Sequence, residues 1–226
     1  MKEKPILFSG PLVRAVLRDV DPKTQTRRLV KPQADVIVGD ILGQPQWYLD
    51  ADPSRVIRCP YGATGDRLWV REAHAPMCRS RDTRVAYRAD MIVQNRMPRR
   101  PPPGWTTEDL CPWPVDNTKG RGYAVTRWTP SIHMPRALSR IDLEVTRVRV
   151  QRLQDITEED ARAEGLCQRL TREGTFYHHE ESTPSGRWWI DPVDAFRHLW
   201  DAINGERATW DSNPWVWALD FKRVRP

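Results

Sequence analysis

Apolar residues recur at helical spacing in two segments, one near each end of the chain. Spacings of three and four residues predict a short helix over residues 10–19 and another over residues 192–202. Pro11 suits the first turn of the first helix, and Asp191 is a good N-cap for the other. The positions that carry the pattern are Leu12, Val13, Val16 and Leu17 in the first segment and Phe196, Leu199, Trp200 and Ile203 in the other.

Alternation of apolar and polar residues predicts a long strand over residues 139–150. Ile141, Leu143 and Val145 alternate with polar residues, and Val148 then shifts the phase by one position, which predicts a bulge near Arg147. Runs rich in β-branched or aromatic residues predict further strands. These runs cover residues 23–30, 67–71, 85–88 and 215–221.

A third helix is expected directly after the long strand. Thr157 is a suitable N-cap, Asp160 stands where a capping-box partner would, and Gly165 is a suitable residue to end the helix. By contrast, residues 31–64, 91–136 and 167–190 show no clear period, and prolines are frequent in the middle segment, so we expect these parts to be irregular. Few helices and short strands predict an α+β fold, with a small sheet or barrel.

Composition narrows the class of protein and of partner. The chain has 226 residues, enough for one elaborated domain, and 36 Lys and Arg against 30 Asp and Glu give it a net charge of +6. A basic chain suits polyanions such as nucleic acid. No apolar run has the length of a membrane span. The four cysteines are widely spaced without a CxxC pair, which predicts free thiols in the cytoplasm.

Three segments resemble the ASCH superfamily, whose small β-barrel domains are related to the PUA fold. They are Lys23-Thr24-Gln25-Thr26-Arg27-Arg28 after the first helix, Gly65-Asp66-Arg67-Leu68-Trp69-Val70, and Leu153 to Leu166 with its T-E-E-D-A-x-A-E-G pattern. Two further segments are similar to phage or prophage members: Pro5 to Gly10 and Pro130 to Arg136. The resemblance implies a PUA-like small β-barrel with flanking helices. It also implies a single domain over residues 1–226, with long loop insertions at about 31–63, 75–135 and 167–190.

The resemblance also implies a chemistry. Some small bacterial members hydrolyse N4-acetylcytidine with a Lys, a Thr and a Glu, and Lys23, Thr26 and Glu164 stand at the matching positions. It therefore implies an amidohydrolase that acts on a modified nucleoside or nucleotide, most simply an N4-acylated cytosine. The candidate substrate-binding residues are Arg27, Arg28 and Trp69. The chain departs from the family at Asp21-Pro22, where a glycine usually precedes the Lys-Thr pair.

These three residues have the chemistry that amide hydrolysis needs. A threonine hydroxyl becomes a nucleophile when a base takes its proton, and a lysine whose pKa is lowered can be that base. Glu164 can protonate the leaving amine or hold Lys23 in place. In an ideal strand, positions 23 and 26 point to opposite faces. The site therefore requires Lys23 to lie in the turn before the strand, and all three groups to meet in one hollow.

Two other functions compete with hydrolysis of a nucleoside. Arg96, Arg99 and Arg100, followed by three prolines and Trp105, suit a non-catalytic RNA- or DNA-binding module. A ribonuclease is the other alternative, because the resemblance extends to RNA-cleaving members. We expect no metal and no cofactor, since the spacing of the cysteines and histidines matches no common zinc arrangement.

Overall fold

The computed structural model shows an α+β architecture in which sheets predominate and helices are few. This confirms the predicted fold class at that level. None of the helices in the described ranges is long and apolar enough to cross a membrane. The structure describes residues 1–33, 36–41, 44–49, 52, 54–79, 82–90, 93–94, 128–179 and 187–224.

One helix lies near the start of the chain and two lie in its last third, and strands make up most of the remaining described structure. The helices are α1 (Gly10–Leu17), α2 (Glu158–Ala163) and α3 (Pro192–Asn204). The strands are β1 (Glu3–Leu7), β2 (Gln25–Leu29), β3 (Val36–Ile41), β4 (Gln44–Leu49), β5 (Val56–Ile57), β6 (Arg67–Arg71), β7 (His74–Arg79), β8 (Asp82–Tyr87), β9 (Val93–Gln94), β10 (Asp142–Arg152), β11 (Cys167–Thr171), β12 (Gly174–His178) and β13 (Trp215–Val224).

A five-stranded sheet with the order β1-β6-β10-β13-β2 forms the centre of the molecule. The β1–β6 pair is parallel and the other pairs are antiparallel. The edge strands β1 and β2 form no ladder with each other among the described residues. A side chain joins them instead, because Arg28 on β2 donates a hydrogen bond to the Leu7 carbonyl at the end of β1, over 2.6 Å.

The two faces of this sheet cover two separate apolar clusters. Val148, Trp217, Leu219 and Phe221 belong to the larger cluster, together with residues of β1, α1 and β6. Val216, on the opposite face of β13, belongs to a smaller cluster with residues of α2 and α3. Because residues that face each other across paired strands share a side, every side chain of β2 can be assigned to one cluster.

Several local predictions are confirmed. The register of β10 against β13 shifts between Val145 and Arg147, where the change of phase predicts a bulge. The Thr157 hydroxyl accepts a hydrogen bond from the Asp160 backbone N–H, so the predicted cap of α2 forms. Likewise, the Asp191 carboxylate accepts a hydrogen bond from the backbone at the start of α3.

Two of the three segments predicted to be irregular contain regular structure, so those predictions are wrong. Strands β3, β4 and β5 form an antiparallel sheet within residues 31–64, and β11 and β12 form a hairpin within residues 167–190. Pro45 made the β3-β4-β5 sheet hard to predict from the sequence. It lies in a part of β4 that β5 does not reach, so its missing N–H costs no bond on that side. Within the remaining segment, residues 91–136, the structure describes β9 and a turn of 3-10 helix at Ser131–His133. Residues 95–127 lie outside the described ranges.

Candidate active site

Lys23 lies in the turn between α1 and β2, as the proposed chemistry requires. Its backbone N–H donates to the Ala15 carbonyl over 2.9 Å, and the next N–H donates to Ala163 over 2.9 Å. The strand starts two residues later, so strand alternation does not fix the direction of the Lys23 side chain. At the departure from the family pattern, Asp21 has a φ of 47°, a conformation that glycine adopts easily. The turn therefore forms without the glycine.

A buried ion pair joins Lys23 to Glu164, the residue that ends α2. The Lys23 Nζ lies 2.7 Å from the Glu164 Oε2, and it also donates to the Glu164 backbone carbonyl over 2.6 Å. Both residues are almost fully buried, with exposed fractions of 2% and 3%. The structure therefore brings together two of the three predicted catalytic residues, which are 141 positions apart in the sequence.

Arg27 occupies the other oxygen of the same carboxylate. Its guanidinium donates to the Glu164 Oε1 over 3.1 Å and to Asp160 over 2.8 Å, and its side chain is fully buried. The Glu164 carboxylate thus has one cation on each oxygen. Breaking up a buried ion pair is costly, so this arrangement holds the carboxylate firmly in one position. The Arg27 side chain faces α2 and α3 and binds Glu164. It does not face the larger apolar cluster on the other side of the sheet.

Sequence reasoning missed the charged residues that extend this network. Gln25 donates to Asp160 and Asp220, and Arg149 donates to the same two carboxylates. Arg27 also donates to the Gln25 side-chain oxygen. One signal could have found the network: Asp220 interrupts the apolar run from Trp215 to Phe221 in β13, and a carboxylate in such a run needs partners.

Thr26 and Arg28 lie on the opposite face of β2 from Arg27. In the ladder with β13 they stand opposite Leu219 and Trp217, two residues of the larger apolar cluster. Thr26 is buried, and among the described residues no hydrogen bond joins its hydroxyl to Lys23 or Glu164. The Thr26 hydroxyl therefore lies near the start of β2, on the side of the larger apolar cluster. It is three residues after Lys23 in the sequence and is not hydrogen-bonded to the Lys23–Glu164 pair.

Arg28 is half-buried where the ends of β1 and β2 meet. Besides its bond to Leu7, its guanidinium lies over the ring of Phe8, 5.6 Å from the ring centroid. Burial lowers the pKa of Arg28, while Tyr61 and Glu164 oppose that shift, so Tyr61 is a further polar neighbour that the sequence did not indicate. Arg28 is therefore the predicted substrate-binding residue that lies on the same side of β2 as Thr26.

The environment of Lys23 favours its neutral form more than water does, because it lowers the pKa of the side chain. Burial lowers the pKa of Lys23 from its ordinary value, and the positive charges of Arg28 and Arg27 lower it further. Glu164 acts in the other direction by attraction and by its hydrogen bond, but the net shift is downward. A lysine with a lowered pKa can accept a proton from a hydroxyl at a pH nearer to neutrality.

A small cleft lies on the outer side of the turn that carries Lys23. Its volume is about 160 Å³, less than the roughly 300 Å³ at which pockets for small molecules begin. Neither Lys23 nor Glu164 lines it, so it is not the hollow that the three groups would share. The lining residues are Asp21, Pro22, Arg162, Ala163, Leu166, Gln168 and Tyr177.

The remaining predicted site residues lie elsewhere. Two guanidinium groups lie over the Trp69 ring, that of Arg71 at 4.7 Å and that of Arg136 at 5.9 Å, and no described contact joins the ring to the Lys23–Glu164 pair. The arginines predicted to bind nucleic acid, Arg96, Arg99 and Arg100, lie outside the described residues. In the described part of the chain, no group of three His, Cys, Asp or Glu residues is placed to hold a metal ion.

Comparison with known proteins adds no family to this description. No family model matches the chain. Neither the curated proteins nor the solved structures contain a match.

Proposed function

We propose that this chain is an ASCH-type amidohydrolase that releases the acyl group from an N4-acylated cytosine nucleoside or nucleotide. One observation carries the proposal. The ammonium of Lys23 and the carboxylate of Glu164 form a fully buried pair, 2.7 Å apart, at the point where the Thr26 strand begins. Two residues from distant parts of the sequence meet there, and both belong to the motifs that resemble the family.

The reaction begins with the Thr26 hydroxyl. When Lys23 has lost its own proton, its amine takes the hydroxyl proton while the oxygen attacks the acyl carbonyl, which gives a tetrahedral intermediate. The bond from the carbonyl carbon to the cytosine N4 then breaks, and the proton on Lys23 passes to the leaving amine. Water hydrolyses the acyl-Thr26 ester to a carboxylic acid and restores the hydroxyl. Lys23 therefore acts first as a base and then as an acid.

Of the two roles open to Glu164, the geometry favours holding Lys23 in place. Each of its carboxylate oxygens already accepts a hydrogen bond from a cation, one from Lys23 and one from Arg27. With both oxygens engaged in this way, the carboxylate is held against Lys23 and Arg27 and is not free to reach a leaving group. Glu164 is thus a positioning residue, and Arg27 supports it.

The shape of the central sheet supports a PUA-like barrel. Its edge strands β1 and β2 approach each other closely enough for Arg28 to donate to the Leu7 carbonyl. The rings of Phe8, just after β1, and Phe221, on β13 beside β2, lie 6.2 Å apart within the same cluster. The sheet is therefore strongly curled around the larger apolar cluster. Substrate enters where the two edges meet, and Arg28 contacts it there.

The test is release of acetate and cytidine from N4-acetylcytidine, followed by chromatography. Lys23→Met and Thr26→Val should each reduce kcat by at least about 100-fold, because each removes a group that takes part in the covalent step. Thr24→Val and Lys31→Met are matched controls, since both residues are exposed and lie close to the site in sequence. They should retain the activity of the unchanged protein.

Three further results refine the assignment. Thr26→Ser should retain part of the activity, since it keeps a hydroxyl at the same position. Glu164→Gln should move the ascending limb of the pH–rate profile to lower pH, because Lys23 acts as the base and loses the carboxylate that raises its pKa. Absence of cytidine formation by the unchanged protein, or equal rates with Lys23→Met, would exclude the proposed reaction.

A further inference from the structure

Five aromatic rings form a continuous ladder on the side of the molecule that carries the β11–β12 hairpin. Successive ring centroids are separated by 5.2, 6.1, 5.1 and 4.9 Å, all within the range of direct ring contact. Two of the four contacts have interplanar angles of about 15°, so the rings stack. In order, the ladder consists of Trp188, His178, His179, Trp189 and His198.

Both ends of the ladder reach the surface, although its centre is buried. Trp188 is 36% exposed and His198 is exposed, whereas His179 is 2% exposed. Burial of its middle rings fixes the ladder against α3. Because Trp188 is supported from below by His178, its position is set before any ligand arrives, which lowers the entropic cost of stacking on it.

Two exposed arginines flank the ladder. The guanidinium of Arg169 lies over the Trp188 ring at 6.0 Å, and that of Arg187 lies over the Trp189 ring at 5.6 Å. Neither guanidinium forms an ion pair with any residue that the structure describes. Two positive charges beside an exposed aromatic ring favour an anionic ligand that also presents flat rings.

We propose that this ladder is a binding platform for single-stranded nucleic acid. An incoming base stacks at the Trp188 end of the ladder once Arg169, whose guanidinium lies over that ring, turns to a phosphate, and Arg187 contacts a second phosphate. Base stacking on aromatic side chains tolerates any sequence, and arginine adds both charge and cation–π contact. An uncharged ligand such as a sugar would gain nothing from the charge of the two guanidinium groups, so the charge pattern favours a polyanion.

This platform is separate from the proposed hydrolytic site. The rings of the ladder belong to β12, α3 and the segment between them, and Arg169 belongs to β11. Lys23 instead lies in the turn before β2, and Thr26 lies on β2. Binding at the ladder is therefore independent of hydrolysis, and each proposal can fail without the other.

The test is fluorescence anisotropy with labelled 12-nucleotide single strands, one of RNA and one of DNA, titrated with the full chain. Trp188→Ala should weaken binding about 5- to 100-fold, the range measured for removing one stacked base contact. Trp188→Phe should restore most of the affinity, because it restores a ring. The double variant Arg169→Ala/Arg187→Ala should lower the magnitude of the slope of log affinity against log salt by about 1.4.

Matched controls separate the platform from general surface effects. Arg58→Ala removes an exposed arginine, and Ile132→Ala removes an exposed apolar side chain that is 56% exposed, both far from the ladder in sequence. Both should bind as the unchanged protein does. Equal affinity of Trp188→Ala and the unchanged protein would overturn the proposal. So would absence of binding to either strand, which would leave the ladder as a surface for another protein. The hydrolysis of N4-acetylcytidine should be unaffected by Trp188→Ala.

Discussion

Gly165 and Lys23 pack so closely that a Cβ added to the glycine would lie 2.9 Å from the Cβ of the lysine. The same added atom would lie 2.9 Å from the Cβ of Ala15, on the other side. Gly165 has a φ of 94°, in the left-handed region where side chains are strained. The glycine therefore both ends α2 and allows Glu164 to reach the ammonium of Lys23.

Gly165→Ala should destabilise the protein more than Gly65→Ala, which is its matched control. Gly65 has a similar φ of 86°, but an added Cβ would meet nothing within 4 Å. Both variants carry the strain of a positive φ, about 1 to 3 kcal/mol, and only Gly165→Ala adds overpacking, about 1 to 3 kcal/mol more. Urea denaturation measures the difference. Equal losses would show that Lys23 can move aside at no cost.

Removing the charge of Glu164 should be far more costly than removing that of an exposed partner. Glu164→Gln leaves the buried ammonium of Lys23 without its anion, and loss of one partner of such a pair costs about 3 to 5 kcal/mol. Glu158 is the control, since it pairs with Arg162 over 2.6 Å on the surface of the same helix. Glu158→Gln should cost less than about 1 kcal/mol.

The measurement is the free energy of unfolding of both variants in urea at neutral pH. A loss below about 1 kcal/mol for Glu164→Gln would show that Lys23 releases its proton and accommodates itself without a counter-charge. That result would contradict the description of the pair as a firmly held anion and cation.

Local features of this fold are well predicted from the sequence, because they depend on residues close together in the chain. The bulge in β10 follows from a change of phase between Val145 and Val148, and the cap of α2 follows from Thr157 alone. The hairpin of β11 and β12 was missed because β11 is largely exposed and β12 is mostly half-buried, so apolar and polar residues do not alternate along them. In such strands, the pattern that predicts a half-buried sheet is absent.

Of the candidate site, the sequence predicts the residue types but only part of their arrangement. The meeting of Lys23 with Glu164 was expected from the resemblance, and the structure places them in contact. The bond from Arg27 to Asp160 spans 133 positions and depends on how α2 packs against β2, which no local pattern encodes. For that reason Arg27 was expected at the substrate, whereas the structure places it behind Glu164.

Lys23 should make the stability of the protein rise with pH on the alkaline side. Burial lowers the pKa of Lys23 in the folded protein below its ordinary value of 10.5. Between those two values the unfolded chain holds a proton that the folded chain has lost, so the free energy of unfolding increases with pH. Lys23→Met should remove this contribution, and Lys31→Met, at an exposed lysine, should retain it. Parallel curves for Lys23→Met and the unchanged protein between pH 7 and 10.5 would contradict the lowered pKa.

His179 should destabilise the folded protein in mild acid. Burial, together with the nearby His178 and His198, lowers the pKa of His179 from 6.5 to about 4. Between pH 6.5 and 4 the unfolded chain binds a proton at this residue that the folded chain does not. Stability present above pH 6.5 is therefore lost as the pH falls towards 4, by about 3 kcal/mol in total.

His179→Phe keeps a ring beside Trp189 but removes the titrating group, so its stability should fall less than that of the unchanged protein over the same pH range. His133→Phe, at an exposed histidine that is not part of the ladder, is the control and should follow the unchanged protein closely. The measurement is the urea midpoint of all three proteins at pH 7.5 and at pH 4.5. If His179→Phe lost as much stability as the unchanged protein, another group would be responsible for the acid sensitivity. That result would also show that protonation of the buried His179 ring does not lower the free energy of unfolding.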